Sequence, residues 1–246
     1  MLTARFIASH YILCAAKGAM KIDVRRPGSY NRGMKKPAPT WYQALGRRKT
    51  ILSIALLVVA SLLCFAVSDL IQRLYPDRPI VPDILFTLLP DIPVLAYFTD
   101  PIMLVDIILI LWYAFSRDRI HLPFYFFSVG ITYVGRGLLM VLTPLGRPTG
   151  NLDSYGVGVL VNLKQHGMFP SGHVALATAI YFLIDGRKHP EFKWAAGLLG
   201  LAEMIALILS RGHYSIDVVG GVMLGYIAIG LMLPYRERFR LALHKG

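Results

Sequence analysis

Six long apolar stretches run through this sequence and are separated by short polar segments. A helix needs roughly 20 apolar residues to cross a hydrocarbon core about 30 Å thick. We therefore expect spans at residues 51–67, 94–115, 121–143, 168–184, 194–210 and 218–234. The first carries no charged residue, and each of the others carries at most two.

Two segments fit this pattern less simply. The wholly apolar part of the fourth span is only about half the length that a crossing needs, so this span must include residues 168–173. The apolar segment 84–89 is too short to cross and has prolines on both sides. It predicts an outer loop or a re-entrant turn.

The composition supports an integral membrane protein. Of the 246 residues, 55% are hydrophobic and only 16% are charged, against about 25% charged in an ordinary soluble domain. The mean hydropathy is +0.54 and the isoelectric point is near 9.9. A net charge of +12 would also suit a nucleic-acid-binding protein, so the positions of the charges decide between the two.

The basic residues lie mainly on one side of the predicted membrane. With six spans, the side that holds both termini carries 20 of the 26 Lys and Arg residues, and Arg136 falls inside the third span. The opposite side carries five, namely Arg73, Arg78, Arg147, Lys164 and Arg211. Because basic loops stay in the cytoplasm, both termini are expected there, and no nucleic-acid partner is needed to explain the charge.

The chain then divides into three parts. Residues 1–48 are expected to form a basic cytoplasmic tail, residues 49–234 a six-span all-α catalytic domain, and residues 235–246 a second basic cytoplasmic tail. The true start of the protein is left open between Met1, Met20 and Met34. Two cysteines, Cys14 and Cys64, predict neither a disulfide framework nor a cysteine metal site.

Three polar clusters interrupt the apolar chain at span ends. One is the sequence FPSGH, residues 169–173, where the fourth span starts, and another is SRGHYSID, residues 210–217, between spans five and six. The third is Arg136 near the end of span three, followed by Arg147 and Pro148 in the next loop. The topology places all three clusters at the outer, non-cytoplasmic face, which is periplasm, lumen or cell exterior.

The residues of these clusters suit a phosphoryl transfer. His213 and Asp217 are four residues apart, so on a helix the carboxylate would hold one imidazole nitrogen and leave the other free to attack phosphorus. His173 would protonate the leaving alkoxide as a general acid. Ser171 and Gly172 open a helix whose free N–H groups favour a phosphate.

Arginines supply the positive charge that such a reaction needs. Arg136 and Arg211 would neutralise the phosphoryl group in the transition state, and Arg147 is a third candidate, equally consistent with a headgroup anchor. No metal and no other cofactor is expected, because these cations take the place of a metal ion. Asp100, Asp106 and Glu203 also lie in spans, and we assign them no role.

Both histidine motifs resemble signatures of the type-2 phosphatidic acid phosphatase superfamily. FPSGH and SRGHYSIDVVGG are similar to its second and third motifs. The resemblance implies a six-span membrane enzyme that acts on lipid phosphates without a metal. It also implies that His213 is the nucleophile, Asp217 the residue that orients it and His173 the general acid.

Departures from the phosphatase pattern resemble the sphingomyelin-synthase branch. Only Gly212 separates Arg211 from His213, where phosphatases have several residues, and Met140 stands where they have a lysine. The branch's own spacing is matched by Arg136, Met140, Thr143 and Leu145, and its first outer loop by Val81-Pro82-Asp83. This resemblance implies transfer of phosphocholine or phosphoethanolamine from a glycerophospholipid to ceramide.

The predicted function is therefore a lipid headgroup phosphotransferase that works through a phosphohistidine. Two alternatives stay open at this point. A lipid phosphate phosphatase would use the same residues with water as the acceptor, and a non-catalytic lipid-binding or transport protein would keep only the fold. The expected partners are membrane lipids, and the sequence does not predict an oligomeric state.

Overall fold

A computed structural model describes residues 40–148 and 167–241, with only the backbone described for residues 40–45. All the described residues belong to one compact unit. Most of the predicted N-terminal tail, with Cys14, lies outside the described residues. So do Lys164 and the last five residues of the predicted C-terminal tail.

Seven α-helices make up the described part of the chain. They are α1 (Thr40–Leu74), α2 (Ile84–Leu88), α3 (Ala96–Ser116), α4 (Leu122–Leu142), α5 (Gly172–Leu183), α6 (Pro190–Leu209) and α7 (Ser215–Met232). Three 3₁₀ turns extend them, at Pro93–Leu95, Arg119–His121 and Leu233–Phe239. The prediction of an all-helical membrane protein is confirmed at this level.

Five helical segments within the described ranges are long and apolar enough to cross a membrane. They are Gly46–Leu74, Pro93–Ser116, Arg119–Leu142, Pro190–Leu209 and Ser215–Phe239. These correspond to predicted spans one, two, three, five and six. The first helix is longer than predicted, since it is already formed at Thr40, inside the segment expected to be a tail.

The remaining predicted span contains the short apolar helix α5. It has 12 residues, which at 1.5 Å per residue cover about 18 Å of a core about 30 Å thick. The residues that were expected to lengthen it, 168–171, are not helical. A sixth crossing therefore stays a prediction.

The helices pack in pairs around α5. Helix α1 lies along α4, α3 lies along α6, and α5 lies between α6 and α7. Nine of the twelve residues of α5 are buried, so this short helix is the centre of the described bundle. A buried apolar cluster that includes Tyr113, Phe124, Ile180 and Ile229 joins α3, α4, α5 and α7.

The predicted outer segment 84–89 contains the five-residue helix α2. Asp83 caps it, because its carboxylate Oδ1 accepts a hydrogen bond from the Leu85 N–H at 2.9 Å. The segment after α2 also contacts α6, since the Ile92 N–H donates to the Leu209 carbonyl at 2.8 Å. The segment between α1 and α3 is thereby held next to the end of α6 that leads into residues 210–214.

Candidate active site

His213 and Asp217 form a buried pair at the start of α7. His213 Nδ1 lies 3.2 Å from Asp217 Oδ2, and the same oxygen accepts the Tyr214 N–H at 3.0 Å. Asp217 is fully buried and His213 is 9% exposed. Since α7 begins at Ser215, the pair bridges the preceding loop and the first helical turn, and does not lie along one helical face as the spacing predicted.

The surroundings of His213 favour a neutral imidazole. Burial lowers the pKa of His213 below its ordinary value of 6.5, and the hydrogen bond and charge of Asp217 raise it only in part. Coulombic interactions with His173 and Arg136 lower the same pKa further. With Nδ1 directed at the carboxylate, the unprotonated nitrogen available for attack is Nε2.

His173 lies in the first turn of α5, where Ser171 is the N-cap. The Ser171 hydroxyl oxygen accepts the Val174 N–H at 3.5 Å. The imidazole Nε2 of His173 lies 3.1 Å from Asp100 Oδ1 on α3, and the two side chains are 24% and 23% exposed. The other ring nitrogen of His173, Nδ1, does not contact Asp100.

Asp100 is the residue near the site that sequence analysis left without a role. Its only signal in the sequence is that a carboxylate inside an apolar span is costly unless it has a polar partner. That signal is shared with Asp106 and Glu203, which are buried and have no hydrogen-bond partner among the described residues. Asp100 differs from Asp106 and Glu203 because the packing of α3 near α5 places it in contact with His173.

The two histidine motifs are joined through their backbones and through Arg136. The Ser171 N–H donates to the Asp217 backbone carbonyl at 3.0 Å. Arg136, 3% exposed on α4, donates from Nε to the Pro170 carbonyl at 3.2 Å and from Nη2 to the Gly167 carbonyl at 3.5 Å. The structure therefore brings Arg136 and both motifs into one cluster.

Gly172 allows this arginine to lie against the start of α5. A Cβ atom on Gly172 would be only 2.8 Å from Arg136 Nε and 3.1 Å from its Cζ. A larger residue would have to displace the guanidinium or the helix terminus. The glycine of the Ser-Gly-His sequence is thus explained by close packing against Arg136.

The described side-chain hydrogen bonds of Arg211 go to the segment before α3 and not to either histidine. The residue has a positive φ of 57°, a conformation that costs a non-glycine residue of the order of 1 kcal/mol or more. Its Nη2 donates to the carbonyls of Phe86 and Leu89 at 2.7 and 2.9 Å, and its guanidinium lies 4.3 Å from the centre of the Phe86 ring. Nη1 is buried without a hydrogen-bond partner among the described residues.

Arg147 lies farther along the loop after α4, next to Arg78. Burial and then the charge of Arg147 lower the pKa of Arg78, whose Nη2 donates to Gln72 at 2.6 Å. The loops after α1 and α4 form this neighbourhood, since the Gly146 N–H donates to the Pro79 carbonyl at 3.0 Å. The structure gives Arg147 no described contact with His173 or His213, so its phosphate-binding role stays a prediction.

The loop sequence Val81-Pro82-Asp83 meets the His213 motif directly. The Val81 N–H donates to the Tyr214 hydroxyl at 3.4 Å, and Asp83 Oδ2 accepts the Ser215 N–H at 2.5 Å. The Tyr214 ring stacks on Phe86 with centres 5.8 Å apart. Two segments that the sequence linked only by resemblance therefore form one structural unit beside the nucleophile candidate.

No group of three or more His, Cys, Asp or Glu side chains with metal-binding geometry occurs among the described residues. The acidic and histidine side chains of the cluster instead occur as two separate pairs, His213 with Asp217 and His173 with Asp100. The arrangement can supply a nucleophilic imidazole, a proton-transferring imidazole and one buried guanidinium within a single cluster.

Comparison with known proteins identifies a family for this chain. A family model described as AtPDCT1/2 matches residues 63–232. The chain is 35% identical over 104 residues to phosphatidylcholine:diacylglycerol cholinephosphotransferase 2 of Arabidopsis thaliana, a match that covers 42% of this chain and 34% of that relative.

A second curated relative is more distant but matches over a longer region. The chain is 27% identical over 203 residues to phosphatidylcholine:ceramide cholinephosphotransferase 1 of Caenorhabditis elegans, covering 70% of this chain and 43% of the relative. The chain spans less than half the length of both curated relatives. These similarities support a related lipid phosphotransferase family, while membership in the wider type-2 phosphatase superfamily stays a prediction.

Proposed function

Because this chain belongs to the AtPDCT1/2 family, we propose that it is a membrane enzyme that transfers a phosphorylated headgroup between lipids. The donor is a glycerophospholipid with a phosphocholine or phosphoethanolamine headgroup. The acceptor is a lipid alcohol, either ceramide or diacylglycerol, as the names of the two curated relatives suggest. The proposal extends those names to this chain.

The observation that carries the proposal is the pair of histidines, each held by an aspartate. Asp217 contacts Nδ1 of His213 at 3.2 Å, and Asp100 contacts Nε2 of His173 at 3.1 Å. A carboxylate that fixes one imidazole nitrogen leaves the other oriented for chemistry. Two such imidazoles provide the nucleophile and the general acid of a two-step transfer.

In the first step, Nε2 of His213 attacks the phosphorus of the donor lipid. An N–P bond forms, and the bond between phosphorus and the diacylglycerol oxygen breaks. His173, in its protonated form, gives a proton to that oxygen, so diacylglycerol leaves as a neutral alcohol. The headgroup phosphate stays on His213 as a phosphohistidine, and Asp217 stabilises the positive imidazole ring.

In the second step, the acceptor hydroxyl attacks the same phosphorus. His173, now neutral, takes the hydroxyl proton while an O–P bond forms and the N–P bond to His213 breaks. The acceptor leaves with the headgroup, and both histidines return to their starting protonation states. The two steps together exchange one lipid alcohol for another.

Positive charge in the cluster stabilises the phosphoryl oxygens during both steps. Arg136 lies against the helix terminus formed by Ser171 and Gly172, where helix N–H groups and a guanidinium both favour an anion. Arg211 would contribute through Nη1, which has no described partner. Arg147 would serve an incoming headgroup at the outer loops. In this proposal the arginine side chains stabilise the phosphoryl oxygens, and no metal ion takes part.

The proposed orientation puts this chemistry at the outer membrane face. The asymmetry of basic residues favours cytoplasmic termini, and the His173 and His213 motifs then lie on the periplasmic, lumenal or exterior side. The excess of apolar surface on the five long helices suits substrates that reach the site from within the bilayer.

A substitution of the nucleophile tests the proposal. The His213→Ala variant is purified and supplied with a lipid carrying a labelled headgroup, together with ceramide or diacylglycerol. We expect headgroup transfer to fall by at least about 10⁴-fold, since a covalent route is lost. The matched control is His189→Ala, because His189 is a half-buried histidine at the opposite end of α6 and should leave transfer near that of the wild type.

Four results test the mechanism and separate the candidate functions. Transfer at the wild-type rate in His213→Ala would overturn the phosphohistidine mechanism. Release of phosphate from phosphatidic acid, with no transfer to a lipid alcohol, would identify a phosphatase. No turnover of any lipid by the wild type, with lipid binding retained, would identify a lipid-binding or transport protein. A phosphoryl group trapped on His213 would be the most direct support.

A further inference from the structure

A cleft between α5 and α6 lies outside the candidate active site. Its volume is about 570 Å³, which is within the range of about 300 to 1,000 Å³ in which pockets hold one small-molecule ligand. Apolar and small side chains from the two helices form most of its wall, including Ala177, Phe182, Leu198, Leu201 and Met204. Val222 of α7 closes one side.

The cleft starts at the end of α6 that is remote from the two histidines. Helix α6 begins at Pro190 and ends at Leu209, next to the loop that carries His213. The cleft is lined by α6 residues from Pro190 to Met204 and extends to Gly186 beyond α5. The cleft therefore begins at the end of α6 opposite the proposed reaction site and follows most of the length of that helix.

Helix α5 is much shorter than its neighbour α6. Helix α5 ends at Leu183 after 12 residues, about 18 Å of helix, while α6 continues as a 20-residue helix. Gly197 and Gly200 of α6 face α5 across a narrow gap, since a Cβ on either would contact Tyr181 or Ala177 of α5. The geometry thus provides a narrow apolar slot that faces lipid.

Lys193 forms the polar end of this slot, which we call its mouth. Its ammonium donates to the Tyr181 carbonyl and, at 3.4 Å, to the Ile184 carbonyl, and it lies 3.7 Å from the centre of the Tyr181 ring. A lysine ammonium has three N–H donors, so one remains for a ligand. The carbonyls anchor the charge at the mouth of the cleft.

The net charge of the side chains around the mouth of the cleft is positive. Asp185 lies near Lys193 but accepts the Arg187 N–H at 3.1 Å and pairs with Lys188 at 3.4 Å. Glu191 lies 3.5 Å from His189. Both acids therefore already have partners, whereas Lys193 and the exposed Arg187 can meet an anion.

We propose that this cleft binds a phospholipid with an anionic headgroup, with one acyl chain in the slot and the headgroup phosphate on Lys193. The apolar walls match a hydrocarbon chain, and the basic mouth matches a negative headgroup. The exposed Trp194 lies beside the mouth, as aromatic residues do at the boundary between hydrocarbon and headgroups. This lipid is a bound partner of the fold and is not the substrate that His213 would attack.

Trp194 gives a direct test, because brominated acyl chains quench tryptophan fluorescence on contact. A Trp41→Phe, Trp112→Phe variant leaves Trp194 as the single tryptophan, and it is placed in phosphatidylcholine vesicles that contain a small fraction of brominated phosphatidylglycerol or brominated phosphatidylcholine. We expect about a fivefold preference for the anionic quencher, as the attraction of one lysine to an anionic headgroup implies.

A second single-tryptophan protein is the matched control. Trp41→Phe with Trp194→Phe leaves Trp112, which is 63% exposed against 73% for Trp194 but does not line the cleft. We expect Trp112 to be quenched by both brominated lipids alike. An equal preference for the anionic lipid at both tryptophans would reflect general surface attraction and would overturn the proposal.

Two substitutions separate the headgroup and acyl-chain contacts. Lys193→Met should abolish the anionic preference at Trp194, while Lys188→Met, in the preceding turn, should keep it. Gly200→Leu should reduce quenching by both lipids, because it fills the slot. If Gly200→Leu does not fold, the two lysine variants still decide the result.

Two further results would overturn the proposed lipid site. A preference that persists in Lys193→Met would overturn the assignment of the headgroup. Trp194 protected from both quenchers in the wild-type cleft would mean that a second copy of the chain covers this face, which also overturns the lipid site. Because the readout is binding, the result does not depend on whether the protein transfers headgroups.

Discussion

At the scale of single residues, the site depends on two short contacts between imidazole and carboxylate. Asp217 is completely buried, and one of its oxygens accepts both the His213 ring contact and the Tyr214 N–H. Asp100 is partly exposed and reaches His173 from another helix. The buried pair suits a fixed nucleophile, and the partly exposed pair suits a group that exchanges protons.

Asp217→Asn should slow headgroup transfer by about 10²- to 10⁴-fold, because the imidazole loses its orienting carboxylate. Burial lowers the pKa of His213 below 6.5, so the acid side of the rate profile should lie below that value in the wild type. Since Asp217 raises that pKa, the acid side should move to still lower pH in the variant.

The measurement for Asp217→Asn is kcat/KM for transfer as a function of pH. The exposed Asp77 at the end of α1 provides the control Asp77→Asn, for which we expect an unchanged rate and profile. An Asp217→Asn protein with the wild-type rate, or with its acid side shifted to higher pH, would contradict this account of the pair.

Asp100→Asn should lower kcat by up to about 100-fold and leave KM nearly unchanged, because His173 loses the partner that holds its ring in place. Steady-state kinetics of headgroup transfer measure kcat and KM separately and so check this prediction. Asp91→Asn, an exposed aspartate before α3, is the control. A rise in KM with kcat intact would show that Asp100 contacts substrate and does not position His173.

At the scale of elements, close contact between α5 and α7 positions the two histidine motifs. A Cβ on Gly221 would be 2.9 Å from the Ser171 carbonyl oxygen, and a Cβ on Gly225 would be 2.7 Å from the Ala175 carbonyl oxygen. The helices can approach this closely only where glycine faces the other backbone. The small residues after Asp217 therefore fix the distance between the start of α5 and the start of α7.

Gly225→Ala should destabilise the protein by about 1–3 kcal/mol, because overpacking forces α7 away from α5. Gly230→Ala is the control in the same helix, since a Cβ there meets nothing within 4 Å. We expect that variant to be neutral or slightly more stable, by up to about 1 kcal/mol, since alanine favours helix. Thermal unfolding in detergent measures both, and equal stability of the two variants would contradict the packing argument.

At the scale of the whole molecule, the C-terminal turn is tied to the loop between α3 and α4. Asp118 contacts His121 Nδ1 at 2.8 Å and also accepts hydrogen bonds from Tyr125 and Arg236. Together these contacts outweigh burial and lower the pKa of Asp118. The network joins the ends of three membrane helices on the side opposite the candidate site.

The predicted six-span topology can be tested by labelling from one side of the membrane. With Cys14 and Cys64 replaced by serine, a cysteine is introduced at exposed Asp77, after α1, or at exposed Lys188, after α5. A crossing by α5 puts the two positions on opposite sides. We expect an impermeant thiol reagent applied to the non-cytoplasmic side to label D77C, and to label K188C only after permeabilisation.

The same experiment has a clear contrary result. If α5 enters and leaves on one side, three predicted crossings between the two positions become two, and both cysteines would be labelled from the same side. That outcome would remove the sixth span and, with it, the expectation that both termini share the cytoplasm.

From local chemistry, the sequence by itself determined the membrane class, five of the spans and the proximity of His213 to Asp217, although not the shared helical face that the spacing predicted. Apolar length and a four-residue spacing act between neighbours in the chain, so they are visible without a structure. The inward position of Arg136 was also evident, because a charged residue inside a span must have polar contacts.

Only the tertiary structure decided which distant groups meet. It puts Asp100 of α3 on His173, turns Arg211 toward Phe86 and Leu89, and leaves α5 at 12 residues. These outcomes depend on how helices far apart in the chain pack, and many sequences with the same apolar pattern would pack differently. The physical reason is that hydropathy fixes where helices lie in a membrane, while steric fit between their faces selects their neighbours.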